Sequence, residues 1–184
     1  MKLRNKMVLP AVTLLAFATS SIAFGATQGS LDGLANGSTG SSDISIEVLD
    51  AVKITDMDDV DFGTYGADDT GAMNQGDAFC VYVNGGDAYS IVASNPNGSA
   101  FTLIGDTFAD TLEYTVALDE DADASDATVV ATHGQAQDFV SGSVKVDCDS
   151  VNNTSFDIRI TEQELRDMTT DTYAGTLQLL LKPI

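Results

Sequence analysis

Short runs of alternating apolar and polar residues, punctuated by Gly, Asn, Asp and Pro, recur along this chain from residue 44 onward. A period of two places one face of an extended segment in a core and the other in water, so these runs predict strands. Ile44, Ile46 and Val48 alternate with Ser45 and Glu47, and Leu49, Ala51, Val52 and Ile54 follow, as one long strand or two joined by a kink. Further strands are predicted at 60–65, 78–83, 89–93, 100–104, 112–118, 128–132, 139–146, 155–160 and 173–182. Asn84-Gly85-Gly86-Asp87 and Asn95-Pro96-Asn97-Gly98 read as turns, because Gly and Asn accept positive φ. Thr161 and Glu164 stand at capping-box spacing ahead of Leu165 and Met168, which predicts one short helix. Many short strands with polar turns and one helical turn predict an all-β sandwich.

The first 25 residues differ from the rest. Lys2, Arg4 and Lys6 precede an apolar stretch from about Met7 to Ala18, and Ala23 and Gly25 suit cleavage before Ala26. This is the layout of a secretory signal; the stretch is shorter than the ~20 residues a membrane span needs and is interrupted by Pro10. Residues 26–43, rich in Gly, Ser and Thr, read as a flexible leader. In an oxidising compartment the two cysteines, Cys80 and Cys148, predict one disulfide closing a loop of nearly 70 residues. They form no recognisable zinc spacing with the single His133.

Charge excludes whole classes of partner. The chain carries 8 Lys or Arg and 28 Asp or Glu, a formal charge of -20. Three of the basic residues belong to the signal, so the remaining chain is more acidic still. Nucleic-acid binding needs a cationic surface, and anionic lipid repels an acidic one. The cluster Asp119, Glu120, Asp121, Asp123 and Asp126 resembles half a calcium loop but lacks the Gly and Glu of an EF-hand: counting from Asp119, Ala124 and Val130 stand there instead. No specific metal site and no cofactor is expected. Carboxylate pairs for glycoside hydrolysis lack an aromatic sugar platform, since Trp is absent. His133 is expected in an exposed turn. No catalytic residue is assigned, and the chain is not expected to be an enzyme.

Two segments carry a family resemblance. Asp61-Phe62-Gly63-Thr64-Tyr65 precedes the cysteine strand Phe79-Cys80-Val81-Tyr82-Val83, and Thr172-Tyr173-Ala174-Gly175-Thr176-Leu177-Gln178-Leu179-Leu180-Leu181-Lys182-Pro183 ends the sequence. In this order they resemble the spore coat protein U-like domain, a family that includes pilins of archaic chaperone–usher fimbriae. One feature departs from that pattern. The family commonly has a cysteine about nine residues before the motif Phe, where this chain has Lys53, so the disulfide is wired differently.

The resemblance implies an incomplete immunoglobulin-like β-sandwich over residues 49–184, lacking its last strand and completed by a donor strand. It implies a structural subunit that polymerises by donor-strand exchange, exported through the periplasm to a surface fimbrium for adhesion and biofilm formation. The implied partners are identical or related pilin subunits, a periplasmic chaperone and an outer-membrane usher. Within residues 26–48 the donor candidate is Ile44, Ile46 and Val48, each worth ~1.5–3 kcal/mol if buried. Leu31–Leu34 is a poorer, Gly-rich alternative. Leu177, Leu179 and Leu181 are the implied acceptor-groove and chaperone-pairing strand. The same Ile44–Val48 run also reads as the first strand of its own domain, giving a monomeric spore-coat-like or surface β-sandwich protein.

Overall fold

The computed structural model describes residues 27–28, 38–86, 88–96, 98–140 and 142–184. The expected signal, residues 1–25, and the Leu31–Leu34 segment lie outside them. The chain divides into two units, Met1–Val48 and Leu49–Ile184. In the first, Thr27 and Ser41 exchange two backbone hydrogen bonds, of 2.9 and 3.0 Å. The second contains every strand described below. Among the described residues no helix is long and apolar enough to cross a membrane.

The second unit is an antiparallel β-sandwich. One sheet has five strands in the order β1 (Val52–Thr55), β2 (Met73–Val83), β9 (Thr154–Ile160), β6 (Thr115–Asp119) and β7 (Val129–Val130). Two three-stranded sheets complete it: β11 (Gln178–Pro183), β3 (Tyr89–Ser94) and β8 (Ala136–Phe139); and β10 (Tyr173–Ala174), β4 (Thr102–Gly105) and β5 (Thr111–Glu113). The period-two pattern decides the inner faces. Phe79, Val81 and Val83 of β2 are buried, as are Tyr89, Ile91 and Ala93 of β3, Val116 and Leu118 of β6, and Phe156, Ile158 and Ile160 of β9. Phe79 and Phe156 lie with ring centroids 6.1 Å apart, and Tyr89 stacks on Phe139 at 5.4 Å. Tyr89 also bonds Thr154 through their hydroxyls at 3.0 Å, tying β3 to β9 inside the core, where burial raises the phenol above its ordinary pKa.

β2 is the hub. Met73 to Phe79 pair with β9, and Cys80 to Val83 pair with β1. Gly76 has no room for a side chain, since a Cβ there would lie 2.1 Å from the Phe156 carbonyl oxygen. Beyond Phe79, where β9 has not yet begun, its place is taken by a loop. Asn153 accepts from Val81 N–H at 2.8 Å and donates to Val81 O at 3.1 Å, so an amide side chain imitates a strand. Ser143 continues the imitation with backbone bonds of 2.9 Å to Val83 N–H and Val81 O. The Cys80–Cys148 disulfide, with Cα atoms 5.9 Å apart, fastens this loop to β2 as expected. Cys148, Asp149 and Ser150 all have positive φ, a run that L-residues adopt only when held.

The strand boundaries depart from expectation in five places. Phe139 ends β8, and residues 140 and 142–146 belong to this loop rather than to a strand. Residues 112–118 divide at Tyr114, and 173–182 divides into β10 and β11 around Gly175. Val60–Tyr65 joins no ladder: Asp56 turns the chain at φ 62° where β1 ends, and Gly63 turns it again at φ 71°. Ile44–Val48 belongs to no strand. The helix is α1 (Glu162–Asp167), capped by Thr161, whose hydroxyl accepts from Glu164 N–H at 3.2 Å.

Because the disulfide closes a loop of 68 residues, replacing both cysteines by Ala is expected to lower unfolding free energy by about 4 kcal/mol. The midpoint of urea unfolding measures this, and native-state proteolysis should cut first within 140–153.

Candidate functional site

Among the described residues β1 and β11 each have one ladder partner and an open outer edge, and they approach each other without pairing. Leu177, Leu179 and Leu181 alternate inward, half-buried against the core, while Gln178, Leu180 and Lys182 face out. Val52 and Ile54 of β1 are likewise half-buried. Incompletely covered apolar residues therefore flank this gap on both sides.

A cleft of 1130 Å³ enters the sandwich, and of the three inward leucines only Leu177 lines it. Its lining includes the core side chains Leu112, Tyr114, Phe156, Ile158 and Ile160. It is bounded by the segment 57–67, with Val60 and Phe62, and by 168–177, with Tyr173 and Leu177. Neither segment contributes a long strand. The cleft exceeds the ~300–1,000 Å³ usual for small-molecule pockets. Its lining mixes those core side chains with polar residues of the two bounding segments, among them Asp58, Asp59, Asp61 and Arg166.

The Asp61–Tyr65 motif shapes one wall. Asp61 Oδ1 accepts from Gly63 N–H at 2.8 Å, and Gly63 takes φ +71°, a turn conformation that glycine adopts without strain. That turn sends Phe62 onto the core and leaves Asp61 and Thr64 exposed. Tyr65 donates its hydroxyl to Asp69 O at 3.1 Å. Asp77 Oδ2 accepts from Asp58 N–H at 2.7 Å and holds the start of the segment. Helix α1 latches its end. Glu162 accepts from Gly71 N–H at 2.9 Å and from Arg166 Nε at 2.7 Å, and Arg166 also donates to Asp69 O at 3.0 Å. The latch was invisible in sequence, since Asp69 and Arg166 are 97 positions apart.

Ile44, Ile46 and Val48 are 93%, 88% and 74% exposed, an alternating apolar run left in water. Leu49 and Ala51, by contrast, are fixed by Asn84, which accepts from Ala51 N–H at 2.7 Å and donates to Leu49 O at 2.8 Å. Asn84 was read only as a turn residue.

The acidic cluster is engaged in local turns. Asp123 Oδ1 accepts from the amide and hydroxyl of Ser125 at 3.0 and 2.6 Å, Asp121 accepts from Asp123 N–H, and Glu120 accepts from Val140 N–H. Desolvation, with repulsion from Asp121, Asp123 and Asp119, holds the Asp126 carboxyl above its ordinary pKa. Among the described residues no three His, Cys, Asp or Glu side chains are grouped to hold a metal ion. His133 lies in a turn as expected, closed by the Gln135 N–H to Thr132 O bond, but it is half-buried rather than exposed: its Nε2 accepts from Asn95 N–H at 2.8 Å and its ring meets Phe101 edge-on.

No family model and no curated protein matches the chain. A chain from a solved chaperone–tip adhesin complex, described as vital for synergistic activation of CFA/I fimbriae biogenesis, is similar in fold, with a TM-score of 0.50 and 15% identity. The match covers 72% of this chain and 42% of that one, so this chain spans under half the length of its neighbour. The shared feature is the β-sandwich fold.

The latch has a pH dependence. The Arg166 hydrogen bond, with the Gly71 amide, holds the Glu162 carboxyl below its ordinary pKa. A depressed carboxylate contributes stability above its unfolded pKa and loses it as pH falls through the folded value. Hydrogen exchange at the Gly71 amide is expected to be slow at neutral pH, once corrected for intrinsic rate, and to lose protection below the ordinary Glu range. Glu162→Gln should show the reduced protection at neutral pH.

Proposed function

We propose that this chain is a structural subunit of a chaperone–usher fimbria, exported through the periplasm and polymerising at the cell surface by donor-strand exchange. The observation that carries the reading is the 1130 Å³ cleft lined by the side chains of the core itself. A sandwich with its interior open between two poorly paired segments, and with free edges on β1 and β11, has a strand's worth of backbone and apolar surface to satisfy. Strand addition satisfies both: ladder bonds give affinity and alternate side chains in pockets give register. The chain also carries an alternating apolar run, Ile44, Ile46 and Val48, exposed to water. Burial of these three would contribute on the order of 5–9 kcal/mol. Fold similarity to a chain of a fimbrial complex supports the same assignment.

In this reading Leu177, Leu179 and Leu181 line the acceptor groove, and the free edge of β11 is where a periplasmic chaperone pairs before the usher exchanges it for the next subunit. Identical or related subunits then join head to tail, an arrangement that extends without closing. The resemblance of the Asp61–Tyr65 and Leu177–Leu181 segments to spore coat protein U-like pilins supports adhesion and biofilm formation as the role of the fibre. The reading assigns no catalytic step and no cofactor.

The test compares the periplasmically expressed chain with a variant carrying Ile44→Asp, Ile46→Asp and Val48→Asp. The parent is expected to form concentration-dependent linear multimers by light scattering, and the variant to form none. A peptide of residues 40–50 should bind the variant and raise its melting temperature. A parent that stays monomeric at all concentrations, with no peptide binding to the variant, would instead identify a self-completed monomeric sandwich.

A further inference from the structure

The donor segment matches its own domain as well as a neighbour's. If residues 49–51 formed a three-residue turn, Val48 would lie opposite Val52, Ile46 opposite Ile54 and Ile44 opposite Asp56. Val52 and Ile54 turn their side chains toward the core, and residues directly opposite in a ladder share a face. Ile46 and Val48 would then face the core from the free edge of β1, and Ile44 would follow on the same face. The sequence pattern therefore favours self-completion as much as exchange, and a monomer that filled its own groove would not polymerise.

We infer that Asn84 is the positioning residue that prevents this. It follows Val83, the partner of Val52, at the end of the sandwich where β2 turns to β3. Its backbone N–H donates to Ala51 O at 3.0 Å, its Oδ1 accepts from Ala51 N–H at 2.7 Å, and its Nδ2 donates to Leu49 O at 2.8 Å. One residue thereby extends the β1–β2 ladder past its last strand pair and keeps Leu49–Ala51 in line with β1. These are the residues a fold-back would need as its turn. The exit is also remote from the cleft. Pro183 pairs with Tyr89 at this same end, whereas Leu177 on the cleft lies six residues earlier, about 20 Å away at ~3.3 Å per residue. From Ala51, five residues to Ile46 reach at most about 18 Å, and only if no turn is made. With Leu49–Ala51 held straight, the apolar run is directed to the cleft of a second copy of this chain.

This inference rests on the donor-strand reading above. Its test is Asn84→Ala in the full exported chain, which removes both side-chain bonds and leaves the backbone bond. The expected result is a shift of roughly tenfold toward a concentration-independent monomer. In that monomer the Ile46 and Val48 amides should gain protection from hydrogen exchange, and the melting temperature should not fall. Adding Ile44→Asp, Ile46→Asp and Val48→Asp to Asn84→Ala should abolish that protection. Asn84→Asp keeps the acceptor for Ala51 N–H and loses the donor to Leu49 O, so it should shift the same way and provides the test should the Ala variant fail to accumulate. If these variants form multimers as the parent does, with residues 44–48 unprotected, the role of Asn84 is overturned while the donor-strand reading stands. If the parent neither multimerises nor, with its own run replaced by Asp, binds the 40–50 peptide, both are overturned.

Discussion

The backbone of β2 must be paired along eleven residues, and the rest of the domain is arranged around how far the chain manages it. On one flank β9 serves up to Phe79, and the Asn153 and Ser143 loop, fastened by Cys148, serves beyond it. On the other flank β1 serves only Cys80 to Val83 before Asp56 turns it away. The early departure of β1 takes 57–67 away as a strap rather than a strand, and the space beneath that strap is the cleft. A longer β1 would cover more of the core and leave less to be covered by anything else.

What holds the cleft open is polar. Asp77, Glu162 and Arg166 bind backbone groups of the strap, and within it Asp61 accepts from Gly63 N–H and Tyr65 donates to Asp69 O. None of these side chains is buried. The apolar contribution is concentrated at the bottom. The site is thus divided between a rim that sets shape and a floor that supplies attraction.

Much of the fold was legible in sequence because a period of two reports which face of a strand is buried. It placed β3, β9, the second half of β2 and the inward-facing Leu177, Leu179 and Leu181, though it missed Met73–Asp77 of β2, and the Thr161 cap marked the start of α1. The same pattern says nothing about partners. Val60–Tyr65 begins with the alternation of a strand yet joins no ladder, and beyond Phe139 the chain enters a loop that only mimics one. The decisive polar residues left no local trace. Asn84 and Asn153 look like turn residues, and their amide groups act on chain 33 and 72 positions away. The half-burial of His133 was missed for a related reason: its ring is partnered by Phe101 and Asn95, which only the fold brings near.

Arg166 and Glu162 form the one ion pair among the described residues, in a chain whose acids outnumber its bases more than threefold. With so few cations available for neutralisation, side-by-side approach of two such surfaces meets repulsion reaching about 8 Å in physiological salt. A contact made inside an apolar cleft is largely indifferent to that field. If the chain polymerises as proposed, its two directions of association would respond differently to ionic strength: end-on contact would tolerate dilute media, whereas lateral aggregation would require concentrated salt or divalent counterions. Solubility of any assembly and its cohesion along one axis would then be governed by separate, independently adjustable physics.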